Sequence, residues 1–232
     1  MLNNPIKTVF DASRARGWVI EPDAKQLLAA AGLTVPRFTT VTEPGEIESA
    51  AAGIGFPLVA KIVSGRILHK SDHDGVETGI TTKNELTAAF ERFSRLDGFE
   101  AMLVEEMVSG MELIIGAKID DQFGPVVLLG IGGIGVEIYQ DVSLRMAPVG
   151  PDDVASMIKG LKAGRMLSGY RGGVVVDRDE LIRTIIGFSE FVMASAEMIA
   201  SIDLNPVMCS AEKCVVADAR IMLPEVKEST NI

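Results

Sequence analysis

The 232-residue sequence predicts a mixed fold of the α+β (α/β) class, organised as two interleaved lobes. Two observations support this class. Segments whose apolar residues recur at helical spacing alternate with short apolar strands, and several strands follow one another closely enough to form antiparallel hairpins. Such hairpins argue against a purely parallel sheet. A chain of this length can bury a substantial core, in one large domain or in two smaller ones.

Two helices open the pattern of elements. One is predicted from Pro22 to Gly32 and another from Thr42 to Gly53, because apolar residues recur at helical intervals and a glycine lies at each end point. The later predicted elements are a buried strand over 56–63, a helix over 83–96, strands over 102–108, 112–119, 126–129 and 136–139, a helix from about 151, a long helix over 178–200 and a closing pair of strands.

Composition and charge exclude several classes of partner. The formal net charge is −10 and the chain has no run rich in Lys or Arg, so we expect no nucleic-acid partner. The first residues lack the apolar core of a signal peptide, and VVLLGIGGIGV is too short to span a bilayer, so we expect no membrane segment and a cytoplasmic location. Cys209 and Cys214 are the only cysteines, and we expect both to be reduced.

The closing strand pair allows a prediction of its register. Four residues separate the two strands, so Cys209 is expected to face Cys214. This alignment places Asn205 opposite Asp218, and it also places Asp203 opposite Arg220 on the same face.

These opposed residues form a candidate metal site. Directly opposed side chains have Cβ atoms about 4.5–5.5 Å apart, which allows Asn205 and Asp218 to offer oxygens to one Mg²⁺ while a nucleotide completes its coordination. Asp203 is a further candidate metal ligand, and Arg220 a candidate phosphate contact. The alternative is a surface hairpin with its polar residues facing water, in which Pro206 introduces a bulge that shifts the register.

A lysine and a histidine stand out further upstream. Lys61 lies in an apolar strand, where its ammonium group must reach solvent, pair with an acid or meet an anion such as phosphate. The polar loop over 64–76 contains His69, and an imidazole among cations and carboxylates is a competent nucleophile for a phosphoryl group. The alternative for His69 is an ordinary histidine on a solvated loop.

The segment formed by Glu105, Glu106, Met107 and Val108 is a candidate nucleotide contact. It is able to present a strand edge to adenine, and Glu112 a carboxylate to ribose. An exposed acidic strand end has the same composition, so this pattern is weak by itself.

Five segments carry a family resemblance. In chain order they are PLVAKIVSGRILHKSD, LVEEMVSGMELIIGAK, FGPVVLLGIGGIGVE, DLNPV and VVADARI. Together they resemble the ATP-grasp β-subunit of ADP-forming (NDP-forming) acyl-CoA synthetases, including acetate–CoA ligases, and they are similar to the β-subunit of succinyl-CoA synthetase. The resemblance implies an ATP-grasp fold with nucleotide between two α+β subdomains. The expected organisation is an extension over 1–20, a first subdomain over 21–109 with a lead-in helix within 21–42, a second over 110–225 and a tail over 226–232.

The resemblance also implies roles for the candidate residues. The implied contacts are Lys61 with phosphate, the 105–108 segment with adenine, Glu112 with ribose, and Asn205 and Asp218 with Mg²⁺. The histidine that carries phosphate in this subunit falls on His69. The family pattern after HKSD is a small or aliphatic residue followed by Gly-Gly-Val, whereas this chain has His73, Asp74, Gly75 and Val76.

The implied activity is the transfer of a phosphoryl group between ADP/ATP and a histidine. The overall reversible reaction is acyl-CoA + ADP + Pi = acid + CoA + ATP. The implied partner is a CoA-binding α-subunit that carries a second phosphohistidine, so a hetero-oligomer is expected. Two alternatives stay open: a noncatalytic nucleotide-binding regulatory subunit, and a stand-alone ATP-grasp carboxylate ligase.

Overall fold

The structure is a computed structural model that describes residues 4–133 and 141–225, with the side chains of residues 4 and 5 excepted. Its helices are α1 (Asn4–Ser13), α2 (Glu21–Ala30), α3 (Ile47–Ile54), α4 (Lys83–Phe93), α5 (Pro151–Gly160) and α6 (Arg178–Ser195). Its strands are β1 (Trp18–Val19), β2 (Phe38–Val41), β3 (Leu58–Ser64), β4 (Val76–Ile80), β5 (Phe99–Glu106), β6 (Met111–Asp120), β7 (Gly124–Ile131), β8 (Val142–Met146), β9 (Ser201–Cys209), β10 (Cys214–Val216) and β11 (Arg220–Met222).

The chain divides into two compact units. The larger unit takes the described parts of Met1–Val19, Asp23–Thr34 and Gly110–Ile232, and the smaller unit takes Ile20–Pro22 and Val35–Ser109. The boundary between the two units in the middle of the chain falls between Ser109 and Gly110. Near the N-terminus, the described residues up to Val19 and most of α2 cluster with the larger unit.

The smaller unit is built on a four-stranded antiparallel sheet with the order β2-β5-β3-β4. Every residue of β3 is buried, which explains its nearly continuous apolar sequence. α3 and α4 contact this sheet. The core between helices and sheet includes Ile47, Ile62, Phe90, Phe93 and Met102.

The larger unit is built on a seven-stranded sheet. Its main path is β1-β11-β9-β6-β7-β8, and β10 pairs with β9. One face of β6 is buried through Leu113, Ile115 and Ala117. α6 contacts β7 and β10, and α5 contacts β8 and α6. The alternate residues of β6, including Glu112 and Gly116, therefore lie on the opposite face, which we call the open face.

Helix starts follow local sequence chemistry. At α4, Thr82 accepts a hydrogen bond from the backbone N–H of Glu85, whose carboxylate accepts from the N–H of Thr82, forming a capping box. At α6, the Asp177 carboxylate accepts from the N–H groups of Asp179 and Glu180. The predicted strand over 136–139 lies outside the described residues. Among the described helices, none is long and apolar enough to cross a bilayer.

The two cysteines require a correction. Cys209 pairs with Cys214 across the hairpin, as the predicted register requires, but the two are joined in a disulfide. The expectation of reduced thiols was therefore wrong. It rested on the number of cysteines, whereas direct opposition on antiparallel strands brings two side chains close enough to bond.

Candidate functional site

The predicted register of the C-terminal hairpin is confirmed on both sides of its polar residues. Cys214 pairs with Cys209, and Arg220 pairs with Asp203, so the alignment is the same at both ends. Between these pairs the carbonyl oxygen of Pro206 accepts hydrogen bonds from Ala217 N (3.0 Å) and Asp218 N (3.4 Å). Pro206 thus interrupts the ladder locally without shifting its alignment.

A row of paired residues crosses the open face of the larger sheet. Arg220 pairs with Asp203, Asp203 with Gly116, Gly116 with Leu128, and Leu128 with Leu144. A groove with a volume of about 490 Å³ follows this row, and its lining also includes Ile114, Lys118 and Val126. The groove is charged at the Asp203 end and apolar toward Leu144.

At the Asp203 end of the groove, this lining residue interacts with Arg220 and with a second carboxylate, that of Asp218. Arg220 donates to Asp203 across 3.0 Å. Burial raises the pKa of Asp203, the positive charge of Arg220 opposes this change, and the negative charge of Asp218 adds to it. Asp203 and Asp218 therefore lie close enough to repel each other, and a cation beside them relieves that repulsion.

The chemistry of these side chains fits a small hard cation. Asp203, Asp218 and Asn205 offer two carboxylates and one amide oxygen, the type of donor that Mg²⁺ prefers. Within residues 4–133 and 141–225, no cluster of three or more His, Cys, Asp or Glu side chains suits a metal. Such a cation would therefore need further oxygens from water or phosphate, which is the usual situation for Mg²⁺.

A buried lysine supports this end of the groove. Lys25, on α2, is fully buried and donates to the carbonyl oxygen of Ala217 across 2.8 Å. Ala217 directly precedes Asp218, so Lys25 fixes the backbone from which that carboxylate projects. Lys25 was not among the functional residues predicted from the sequence. The available signal was a charged residue beside Ala24 and Leu28 on the apolar side of the helix.

Glu112 lies at the start of β6 and is exposed. Its carbonyl oxygen accepts from Gly132 N across 2.7 Å. A Cβ atom on Gly132 would lie within 2.7 Å of that oxygen, so only glycine allows the chain to approach β6 here. The close approach leaves the Glu112 carboxylate beside Gly133.

In the smaller unit, Lys61 is buried and paired with acids. Its ammonium group contacts Glu21 Oε1 and Glu105 Oε1, each at 2.8 Å. Glu21 also pairs with Lys70 through its other carboxylate oxygen. Pairing with an acid was one of the three environments expected for Lys61, and the sequence did not indicate that Glu21 would supply it.

The two glutamates at the end of β5 both pair with basic side chains. Glu105 is buried against Lys61, and Glu106 pairs with Arg37 across 3.0 Å. The N–H of Met107 donates to the Pro57 carbonyl oxygen, and the Met107 side chain is exposed. Glu105 and Glu106 therefore have structural partners, while Met107 and Val108 continue the chain beyond the strand.

The loop after β3 presents His69 to solvent. His69 is exposed and directly precedes a 3₁₀ turn over Lys70–His73. Gly75 N donates to the Lys70 carbonyl oxygen, and the Gly75 carbonyl oxygen accepts from Ile62 N, each at 2.8 Å. A Cβ on Gly75 would lie 2.6 Å from Ile62 and 2.9 Å from that Lys70 oxygen, so glycine is required where the loop closes.

The candidate residues thus form one group in each unit. The smaller unit brings Lys61, Glu105 and Lys70 together beside the chain segment of His69. The larger unit brings Asp203, Asp218 and Arg220 together on the open face, with Asn205 on the same strand as Asp203.

Comparison with known proteins identifies the class. A family model described as an ATP-grasp domain matches residues 11–223. The β-subunit of ADP-forming acetate–CoA ligase I from Pyrococcus furiosus is 36% identical over 213 residues, which cover 88% of this chain and 91% of that subunit. The ADP-forming 4-hydroxybutyrate–CoA ligase of Nitrosopumilus maritimus is 36% identical over 229 residues, which are 94% of this chain but 33% of that longer protein.

A solved structure of an acetyl-coenzyme A synthetase has the same fold as this chain. The acetyl-coenzyme A synthetase 1 of Ca. Korarchaeum cryptofilum, in complex with coenzyme A and Ca-AMPCP, superposes with a TM-score of 0.88 at 35% identity, covering 94% of this chain and 99% of that one. A second complex of that synthetase, with coenzyme A and Mg-AMPPCP, has its phosphohistidine segment pointing towards the nucleotide-binding site and superposes with a TM-score of 0.82.

The chain is an ATP-grasp protein, since the family model spans nearly all of it. Within that class it belongs to the family of the β-subunits of ADP-forming acid–CoA ligases, whose members include the acetate–CoA ligase β-subunits of Pyrococcus furiosus. The predicted family, the α+β class and the ATP-grasp fold are confirmed, and the expected enzyme class, an ADP-forming acid–CoA ligase, agrees with these relatives.

Proposed function

We propose that this chain binds ADP or ATP with Mg²⁺ and exchanges a phosphoryl group with His69, as the nucleotide-binding subunit of an ADP-forming acyl-CoA synthetase. The observation that carries the proposal is the charged end of the open-face groove. There Asp203 and Asp218 repel each other beside Arg220, in a chain whose relatives include a synthetase solved with Mg-AMPPCP. A divalent cation that also binds phosphate offsets the charge of such a pair of carboxylates.

Each group of residues has a proposed part. Asn205, Asp218 and Asp203 would hold the metal, and Arg220, which pairs with Asp203, would contact the phosphate beside it. Lys61 meets phosphate, the segment of Glu105, Glu106, Met107 and Val108 contacts adenine through its backbone, and Glu112 contacts ribose. Bound Mg²⁺ supplies a positive charge that offsets the charge of the transferring phosphoryl group.

The chemical step is a direct displacement. A ring nitrogen of His69 attacks the γ-phosphorus of ATP with its lone pair, while the bond from that phosphorus to the β,γ-bridging oxygen breaks and ADP leaves with the electron pair. The reverse step returns the phosphoryl group to ADP. His69 is exposed on its loop, which suits a group that must also meet a second phosphate donor.

The partner belongs to the same proposal. The Pyrococcus furiosus relative is a β-subunit, which implies a partner subunit. The chain spans about a third of the longer curated relatives, such as the 4-hydroxybutyrate–CoA ligase, where it covers 33%. We infer that a CoA-binding α-subunit with its own phosphohistidine supplies the acyl chemistry, in a cytoplasmic hetero-oligomer.

Calorimetric titration with ADP in the presence of Mg²⁺ tests the metal site. Asp218→Ala is expected to weaken the binding of ADP with Mg²⁺ at least about tenfold, because a metal held by few protein ligands loses one negatively charged ligand. Asp11→Ala is the matched control, since Asp11 is an exposed carboxylate on α1 that pairs with Arg14 three residues further along the same chain segment. Equal affinity of Asp218→Ala and wild type would contradict the metal assignment, and no binding by the folded wild type would contradict the function.

A further inference from the structure

Four charged side chains form a continuous series in the smaller unit. Glu105 contacts Lys61, Lys61 contacts Glu21, and Glu21 contacts Lys70. The side chains of Glu21 and Lys61 are each 6% exposed and that of Glu105 is 3% exposed. Because these side chains are shielded from water, each charge is stabilised mainly by the opposite charges beside it.

Glu21 is the link between the two lysines. Its Oε1 accepts from Lys61 and its Oε2 accepts from Lys70, so a single carboxylate fixes both ammonium groups. A carboxylate that accepts from two ammonium groups restricts both, because each must align with one lone-pair direction. The lysines come from elements of different kinds, the fully buried strand β3 and the 3₁₀ turn over Lys70–His73.

The same carboxylate is tied to the histidine loop. Lys70 directly follows His69, and the Lys70 carbonyl oxygen accepts from Gly75 N at the point where the loop closes onto β3. Lys70 is thus held through its backbone by the loop closure and through its side chain by Glu21. The Glu21 carboxylate is therefore joined directly to Lys61, and through Lys70 to the backbone adjoining His69.

We propose that Glu21 is a positioning residue for phosphoryl transfer, which places Lys61 and Lys70 to receive the charge of the phosphoryl group that moves to and from His69. This inference rests on the proposed function. Glu21 does not touch the phosphate itself; it holds two cations in fixed places before the phosphate arrives, so that they need no rearrangement while charge moves.

A positioning role and a purely structural role have different consequences in Glu21→Gln. The substitution removes a negative charge from beside two lysines, so their attraction for nucleotide phosphate is kept or increased, and the Kd for ADP with Mg²⁺ stays equal or falls. Their fixed places are lost, so the single-turnover rate of phosphoryl transfer falls at least about tenfold. A structural role would instead weaken binding and slow transfer together.

The rate is measured with γ-³²P-ATP and Mg²⁺, counting label on the chain that is stable to base and lost in acid, as expected of phosphohistidine. His69→Ala supplies the blank. Glu21→Asp keeps the charge on a shorter stem and is expected to restore part of the rate. Glu48→Gln is the matched control, because Glu48 forms an exposed pair with Lys83 in the same unit, and its rate is expected to equal that of the wild type.

A second measurement needs no nucleotide. In the chain labelled with ¹⁵N-lysine, the Nζ signals of Lys61 and Lys70, assigned with Lys61→Met and Lys70→Met, are expected to shift in Glu21→Gln and to stay unchanged in Glu48→Gln. If neither signal shifts, or if Kd and rate worsen by the same factor, the positioning role is overturned. A wild-type chain that takes no label overturns the proposed function and this role with it, whereas a labelled wild type with an equally fast Glu21→Gln overturns this role alone.

Discussion

Asp203 illustrates how one residue of the open face responds to its surroundings. Burial raises the pKa of its carboxyl, Arg220 opposes that change, and Asp218 adds to it. A metal beside Asp203 would favour the ionised form of this carboxyl group. A cation bound at this position favours loss of the Asp203 proton. We therefore expect metal binding to release protons at acidic pH.

The pH dependence of stability follows from the direction of this shift. Because the pKa of Asp203 in the folded chain lies above its ordinary value of 3.8, the folded chain holds this proton more tightly than the unfolded chain. Its contribution to stability is then full at low pH and is lost as pH rises from about 3.8 through the folded pKa. The difference in unfolding free energy between the wild type and Asp203→Asn is expected to fall over that window.

Urea unfolding at a series of pH values measures this difference. Asp120→Asn is the control with the opposite sign, because backbone N–H groups of Phe123 and Gln122 lower the pKa of Asp120. Asp120 contributes stability above its ordinary pKa and loses it as pH falls through the folded value. Slopes of the same sign for the two variants would contradict the assignment for Asp203.

At the residue scale, prediction from sequence worked where local spacing determines contact. Asp203 and Arg220 were aligned correctly, because a short hairpin loop fixes the register of both strands. It did not work for Glu21, which is 40 positions from Lys61. An ion pair between residues far apart in sequence depends on the tertiary fold that brings them together. No local sequence pattern predicts that contact.

Among the elements, the histidine loop departs from the family pattern at His73 and Asp74. Where that pattern has glycine, this chain has Asp74, whose backbone lies in the left-handed region with φ 51° and ψ 29°. Asp and Asn enter this region more readily than other residues with a side chain. The substitution therefore preserves the turn that ends the 3₁₀ segment, so the loop keeps its path from His69 to Gly75.

This explanation of the loop leads to a prediction at Asp74. Asp74→Ala is expected to destabilise the chain by about 1 kcal/mol, because alanine has no polar side chain to support the left-handed backbone, and Asp74→Gly is expected not to destabilise it. Asp72→Ala is the control, since Asp72 is exposed in the same turn without positive φ. Equal midpoints of urea unfolding for Asp74→Ala and Asp72→Ala would refute the explanation.

The long helices were predicted well, whereas the two-residue strand β1 was not predicted. The helices at 83–96 and 178–200 are present as α4 and α6, each ending a few residues earlier. β1, by contrast, has two residues and exists only because it pairs with β11. A strand of that length carries no periodic signal of its own, since its formation depends on the partner strand.

On the scale of the whole molecule, neither unit is continuous in sequence. The larger unit draws Met1–Val19 and Asp23–Thr34 from one end of the chain and Gly110–Ile232 from the other, whereas the smaller unit takes nearly all of its residues from Val35–Ser109. The apolar cluster over 41–104 lies entirely within that second range. The two units should therefore differ in their ability to fold from a single segment.

Fragments test this difference. The fragment 35–109 is expected to show a cooperative urea transition, and 110–232 is expected to show none. The latter lacks the buried residues Phe10, Val19, Ala24, Leu27 and Leu28. At about 1.5–3 kcal/mol for each large apolar side chain, their loss is comparable to the whole stability of a typical domain. Addition of 1–34 by fusion is the control, and a cooperative transition of 110–232 alone would contradict the expectation.

The pairing of β1 with β11 has a consequence for the chain as it leaves the ribosome. Trp18 pairs with Met222, so the first strand of the larger sheet has no partner until almost the whole described chain has been made. Translation of the intervening segment of roughly 200 residues takes about 10–40 s at typical rates. The smaller unit has time to form during this interval, and the early α1–α2 segment, with its apolar side chains uncovered, is the part of the nascent chain that a chaperone would be expected to hold.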